Sequence, residues 1–287
     1  METVKKMKII LSRKGFDSQN GKLPNLILPD GRLLFFPIPD KTSGILYKDI
    51  RIDVDGYKNL YDMLVDLNVK TIKETYTAHL DPDLYNGSLP RHKSWKPLFG
   101  QTGSPLGHLN NCEVGIGDIF LFFGRFRKTI WDSGKIAFDK AEKDVHIIFG
   151  YFSIGDIINL KEKSIKGYEW TKYHPHNFIS TTPNCIFVAA DSLILDKKSY
   201  AGAKVFDHYS EKLRLSVVGK NKSVWKLPKW FFPFKENKPP LTFHLKKERW
   251  TLYKNYTELQ AVHKGQEFVL DADYYPEWKG WVTDLLA

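Results

Sequence analysis

The sequence predicts an α+β protein dominated by β-structure, with a strongly curved mixed sheet or barrel and a few flanking helices. Two observations predict it. Short apolar or alternating runs recur along the chain, each bounded by Gly, Pro, Asp or Asn, the pattern of strands between turns. Only two segments carry apolar residues at helical spacing. No internal repeat and no low-complexity linker divides the chain, so residues 1–287 are expected to form one continuous domain, with room for two lobes.

In chain order, strands are predicted at 7–12 (MKIILS), 32–38 (RLLFFPI), 119–123 (IFLFF), 146–154 (HIIFGYFSI), 185–190 (CIFVAA) and 213–218 (LRLSVV). The first helix is predicted over 57–67. There Tyr57, Leu60, Tyr61, Leu64 and Leu67 share one face, while Lys58, Asp62 and Asp66 stay wet. A second helix closes the chain, since Pro276 suits a first turn and Trp278, Trp281, Val282 and Leu285 lie on one side that can dock. The segment 129–144, with DSGK and DKAEKD, reads as a solvated connection between strands, and FKENKPP as a surface loop.

Composition narrows the class. Only Cys112 and Cys185 are present, which excludes a disulfide framework or a cysteine-rich zinc module and fits a reducing cytoplasm. The opening METVKKMKIILS is basic and then apolar, but its apolar run is too short for a signal core or a membrane span, so no membrane partner is expected. Lys and Arg outnumber Asp and Glu by 43 to 33, a formal charge of +10. That excess favours nucleic acid or nucleotides as partners, or serves as a solubilising lysine surface. Aromatic and basic residues interleave in WKLPKWFFPFK and KGYEWTKYHPHNF, which suits base stacking or the filling of a β-rich core.

Several polar clusters are candidates for a site. After the first strand comes SRKGFDSQNG, with Ser12, Arg13, Lys14, Asp17 and Ser18 within seven positions and Gly15 to let the backbone turn. Arg13 and Lys14 can bind phosphate, and Asp17 and Ser18 can orient a hydroxyl or move a proton. The glycine spacing matches no nucleotide loop, and Asp17 and Ser18 can equally close an Asx turn. In HLDPDL, an extended chain would project His79, Asp81 and Asp83 to one side, able to share a proton or hold a metal; Pro82 makes a turn equally natural. A glycine-rich loop, FGQTGSPLGHLNN, offers Gln101, His108 and Asn110, and a metal reading requires His79 and His108 to meet. His174 and His176 flank a proline in YHPHNF, where a surface loop is expected and no neighbouring carboxylate completes a ligand set. Finally, GIGDIFLFFGRFR and HIIFGYFSIGDI place Arg125 after Gly124 and put Gly150 inside a strand, where a bulge or the close approach of another backbone is expected.

The ordered set LSRKGFDSQNG, ILPDG, PIPD, HLDPDL, FGQTG, GHLNN, GDIFLFFGRFR, HIIFGYF, HPHNF and GQEFV resembles the third family of nucleotide-modification-associated domains, which occurs in phages and bacteria. The resemblance runs from Lys8 to Phe268. The pair GDIFLFF and HIIFGYFSIGDI is also similar to the strands of PUA-like barrels of the EVE and ASCH types, which hold nucleobases. Together they imply a protein that modifies a nucleobase or nucleotide in DNA or RNA. Arg13 and Lys14 would lie on phosphate, Asp17 or Asp81 would act as base, His79 or His108 as proton shuttle, and Arg125 on developing negative charge. Ser12, Ser18, Gln101, His174 and His176 would add substrate contacts. The alternative is a non-catalytic reader that clamps a modified base with Phe123, Phe126 and Trp131 as walls; a nucleotide sensor in phage defence or counter-defence is a third. No cofactor and no protein partner is named by these motifs.

Overall fold

The computed structural model describes residues 6–160, 165–263 and 265–287, so the leading METVK lies outside the described residues. At its centre two long strands, Ile119–Asp132 and Val145–Asn159, pair antiparallel. Residues 119–124 and 146–154 are all buried. Unbroken apolar runs of this kind are what a strand covered on both faces requires.

The main path of the sheet runs Glu267–Asp271, Lys8–Arg13, Ile119–Asp132, Val145–Asn159, Asn184–Ala189, Leu98–Thr102. Lys8–Arg13 lies parallel to Ile119–Asp132 and the other pairs on this path are antiparallel, which makes the sheet mixed. It curls into a half-barrel, so of the two shapes the sequence predicts, the strongly curved mixed sheet is the one formed. Gly150 contributes to the curl. The register shifts between Ile148 and Gly150, and a Cβ at Gly150 would stand 2.9 Å from the carbonyl oxygen of Lys204. The bulge bends the strand, and the missing side chain admits the short strand Ala203–Val205.

Helix α1 spans Leu60–Asp66, α2 Gly103–Asn111 and α3 Trp278–Leu286. α3 docks as expected, with Trp278, Val282 and Leu285 buried and Trp281 edge-on to Phe231 at 5.1 Å. α1 starts three residues later than its periodicity suggests. Asn59 accepts from the Asp62 amide as N-cap, and Tyr57–Asn59 is drawn into a strand against Arg51–Val54.

Other expectations are corrected. The run 32–38 is broken into Leu33–Leu34 and Ile38–Asp40, each paired with a different partner. Segment 213–218 is not a ladder strand: a 3-10 turn ends at Leu213, and isolated bridges then tie Arg214 to Ile147 and Ser216 to Trp225. Nor is 129–144 merely a solvated connection. The strand continues to Asp132, Ser133 and Gly134 turn with positive φ, and Lys135–Phe138 returns as a hairpin that buries Ile136. FGQTGSPLGHLNN is no glycine-rich loop either, because Leu98–Thr102 forms the strand before α2, whose Leu106 and Leu109 face the core. Cys112 and Cys185 are free thiols. No helix among the described residues is long and apolar enough to cross a membrane.

The buried apolar residues gather into a large cluster on the curled sheet, a second drawn mainly from residues 16–80 with Ile136, and a small third of Leu98, Ile158, Leu160, Ile186 and Val188. Two histidines are buried near the first. His146 accepts from the Trp225 indole at 3.0 Å, and burial, helped by the charge of Arg13, lowers its pKa to about 3. His244 hydrogen-bonds the Thr242 carbonyl at 2.8 Å, and burial lowers its pKa to about 4. Both are neutral in the fold and take up protons more readily when unfolded. Their contribution is therefore present above the unfolded value near 6.5 and is lost as pH falls toward 4, by about 2 kcal/mol per group at pH 5. Urea midpoints should fall steadily between pH 7 and pH 5; a flat profile would contradict this assignment.

Candidate functional site

The loop after the first strand is an excursion from the sheet. Arg13 pairs with Phe123, and Asn25 pairs in the same parallel sense with Phe126 of the same strand. Residues 14–24 must therefore bulge out of a gap spanned by Gly124 and Arg125. Gly124 makes the crossing possible, since a Cβ there would lie 2.8 Å from the Lys14 carbonyl oxygen. Buried Asn25 staples the base of the loop. Its Oδ1 accepts from the amides of Phe36 at 2.8 Å and Phe16 at 3.3 Å, and its Nδ2 donates to the Arg125 carbonyl at 2.9 Å. Asp17 closes the tip, accepting from the Gln19 and Asn20 amides at 2.7 Å each.

This loop forms one wall of a cavity of about 730 Å³. Arg13, Lys14, Asp17 and Ser18 line it together with Gln101, Arg125, His146, Lys222 and His263, and with His79, Asp81 and His176. The cations differ in what they face. Lys14 ion-pairs with buried Glu267 at 2.9 Å, and Gln101 donates to the same carboxylate at 2.6 Å. Arg125 and Arg127 share Asp144. Arg13 instead donates to the carbonyls of His263 at 2.7 Å and Val262 at 2.9 Å, and burial lowers its pKa against the opposing charge of Asp17. Neither Arg13 nor Lys222 has an ion-pair partner among the described residues. The buried Ser12 hydroxyl, Arg13 Nε and Glu267 Oε2 have no hydrogen-bond partner among the described residues.

A histidine–aspartate cluster occupies another part of the lining. The chain bends at Pro82, so Asp83 leaves the side that His79 and Asp81 share. Asp81 accepts from the Gly100 amide at 2.7 Å, and His79, His174 and His176 surround it at 3.8, 3.4 and 3.7 Å. Burial alone would raise the Asp81 carboxyl, but the contact with His174 and the neighbouring imidazoles outweigh it and hold the group well below the usual carboxylate range. Burial lowers His176 to about 4. His174 and His176 are thus not a surface loop: both are buried, and Asp81 supplies the carboxylate that their own segment lacks. Gly100 sets the fit, since a Cβ there would stand 2.2 Å from the His176 ring.

Asp83 instead holds this arrangement in place. It accepts two hydrogen bonds from Arg91, at 2.6 and 2.8 Å, and one from Tyr173 at 2.6 Å. Its backbone exchanges hydrogen bonds with Leu98, two residues before Gly100. One carboxylate thereby fixes the segment of His79 and Asp81, the segment of His174 and His176, and the strand between them.

Other candidates lie elsewhere. His108 sits on α2, hydrogen-bonded to Thr242 at 3.2 Å and outside the cavity lining, so it does not meet His79. Asn110 is exposed on the same helix. Phe123 is fully buried against Trp225, Phe126 packs on Phe149, and Trp131 stacks on Tyr57 at the hairpin; none lines the cavity. Phe123 and Phe126 belong to the core, whereas Trp131 is exposed at the outer end of the hairpin. Residues that the sequence reading did not single out include Asn25, Asp40, His146, Asn184, Lys222 and Glu267. Of these, Glu267 carried a signal, as a lone carboxylate in the apolar run EFVL, and so did His146 at the head of HIIF.

The family model of nucleotide modification associated domain 3 matches residues 8–271. The chain belongs to this family. The match takes in every wall of the cavity, and it links the family to nucleotide modification in name. No curated protein and no solved structure matches the chain at a significant level.

The Asp83 network makes a direct prediction. With side chains 0% and 7% exposed, Asp83 and Arg91 form a buried pair, and removing one partner leaves an uncompensated charge. Arg91→Ala should cost about 3–5 kcal/mol in chemical denaturation. A loss below about 1 kcal/mol would place the pair among ordinary surface contacts.

Proposed function

We propose that the cavity takes a nucleotide, free or as a unit extruded from nucleic acid, and that this domain modifies its base or another part of it. One observation carries the reading. A desolvated guanidinium held by backbone carbonyls, with no ion pair among the described residues, and a compact histidine–aspartate cluster open onto the same cavity. The first is a site for an anion and the second a site for chemistry, and a nucleotide brings a phosphate and a reactive ring in one ligand.

Arg13 and Lys222 supply the positive end, with Arg125 adding the charge left over from the shared Asp144. Lys14 shapes this end through Glu267, and Ser12, Ser18, Gln101 and Asp17 offer polar contacts along the wall. The reacting group is directed toward His79, Asp81 and His176, with His174 behind Asp81. A volume of about 730 Å³ falls within the range of roughly 300–1,000 Å³ usual for small-ligand pockets. A duplex does not fit such a cavity, so a base in DNA has to leave the stack first.

Nucleoside monophosphates should bind in calorimetry, with affinity falling as salt rises. Arg13→Ala should weaken binding by roughly 10–100-fold while the circular dichroism spectrum stays unchanged. Incubation with oligonucleotides or nucleotides should give a mass change on a nucleotide that His176→Gln abolishes. Absence of nucleotide binding at millimolar concentration, or equal binding by Arg13→Ala, would sink the reading.

A further inference from the structure

We infer that His79, Asp81 and His176 form a binding site for one divalent first-row ion of the Zn²⁺ and Fe²⁺ class, open to the cavity. The hydrogen bonds around the cluster decide where its protons sit. His79 Nδ1 lies 3.2 Å from Asp40 Oδ2, and a carboxylate oxygen accepts, so the ring proton is on Nδ1 and Nε2 presents a lone pair. His176 Nδ1 lies 2.7 Å from Asn184 Oδ1. The Asn184 amide cannot be reversed without loss, because its Nδ2 donates to the carbonyls of His176 at 2.9 Å and Ile179 at 3.2 Å. His176 is therefore also protonated on Nδ1 and bare on Nε2.

Asp81 completes the set. Its Oδ1 is taken by the Gly100 amide, while Oδ2 stands 3.8 Å from His79 Nε2 and 3.7 Å from His176 Nε2. Three lone pairs thus converge with no proton between them, at separations too long for hydrogen bonds. Lone pairs arranged in this way repel one another unless a cation lies among them. Ligand atoms of the three residues all fall within 4.8 Å of one another. Tetrahedral ligands at about 2.1 Å from a metal stand roughly 3.4 Å apart, so the two contacts to Asp81 close with shifts of a few tenths of an ångström, and the two histidines, within 4.8 Å of each other, close by at most about 1.4 Å.

Two imidazoles and one carboxylate select the ion class. Ca²⁺ and Mg²⁺ take oxygen ligands throughout, whereas Zn²⁺ and Fe²⁺ accept this mixture and keep positions open for water or substrate. Asp40 and Asn184 act as the outer partners that metal-bound histidines use to fix ring orientation and tautomer. His174 does a different job. Its Nδ1 faces the His176 amide at 3.4 Å, so the ring proton is on Nε2, which stands 3.4 Å from Asp81 Oδ1 and makes no hydrogen bond among the described residues. With no free lone pair toward Asp81, it is not a ligand. The site shares the cavity of the proposed function, where a bound ion would lower the pKa of a coordinated water.

The test uses the full chain, stripped with a chelator and titrated with Zn²⁺ by calorimetry, and with Co²⁺ by visible absorption, in the absence of nucleotide. One equivalent should bind. Asp40→Asn should weaken binding by roughly 10–100-fold through His79, and Asp81→Asn and His176→Gln should weaken it further, with circular dichroism unchanged. His92→Ala, which removes an exposed histidine, should leave it unchanged. No stoichiometric binding, or equal affinity in Asp81→Asn and His176→Gln, would overturn the site. If those variants do not fold, the Co²⁺ spectrum of the unmutated chain decides, because a spectrum identical to the hydrated ion would also overturn it. Metal titration contains no nucleotide, so failure of the nucleotide reading and failure of the metal site are separate outcomes.

Discussion

The rest of the site depends on one geometric constraint, that the chain leaves and rejoins the same strand within three positions. Arg13 and Asn25 both lie parallel to Ile119–Asp132, opposite Phe123 and Phe126. An eleven-residue loop cannot run along so short a gap, so it must stand out from the sheet. The backbone can cross there only because Gly124 has no Cβ, and the polar groups it exposes must be satisfied inside the protein. Asn25 meets that second demand with one amide that serves Phe16, Phe36 and Arg125 together. The outstanding loop is what turns a sheet edge into a cavity wall.

The opposite wall is organised by a buried carboxylate. Asp83 draws in Arg91 and Tyr173, and Tyr173 is one residue from His174. The Leu98 backbone pairing brings Gly100 under Asp81. Charges buried this deeply are costly unless every oxygen is paired, and both oxygens of Asp83 are. The histidines can then sit close to Asp81 because their positions are set from behind.

Much of this fold is legible in the sequence, and the reasons for the exceptions are physical. Strand cores at 8–12, 119–123, 146–154 and 185–189 show because burial on both faces leaves unbroken apolar runs. The hairpin at Asp132–Lys135 was concealed by its polar turn, although Ser133-Gly134 is a turn pair of the right length. Gly150 announced a close backbone approach, and Lys204 makes it. The site was legible as separate pieces. SRKGFDSQNG, HLDPDL and YHPHNF each carry polar residues, but their meeting depends on long-range pairings, and Asp81 lies 93 and 95 positions from the two histidines it joins. Likewise Arg125 stood out beside Gly124, while Asp144, which neutralises part of its charge, looked like loop polarity.

The cationic pair Arg13 and Lys14 shows why a charge count does not locate an anion site. In sequence the two are equivalent neighbours, but Arg13 is the last residue of its strand and Lys14 the first of the outstanding loop, so they meet different partners. Lys14 meets Glu267 and lies 4.4 Å from the Phe99 ring centroid, so its charge is balanced within the wall. Arg13 meets two backbone carbonyls, which accept its protons without cancelling its charge. Burial then works against that charge, and the charge of Asp17 offsets only part of the effect. Many of the surface lysines and arginines are likewise paired with carboxylates, so the count of cations does not by itself say where the excess of +10 lies. The loop thus sets Arg13 against backbone carbonyls and the charge of Asp17, and pairs Lys14 with Glu267, from two adjacent residues of the same sign.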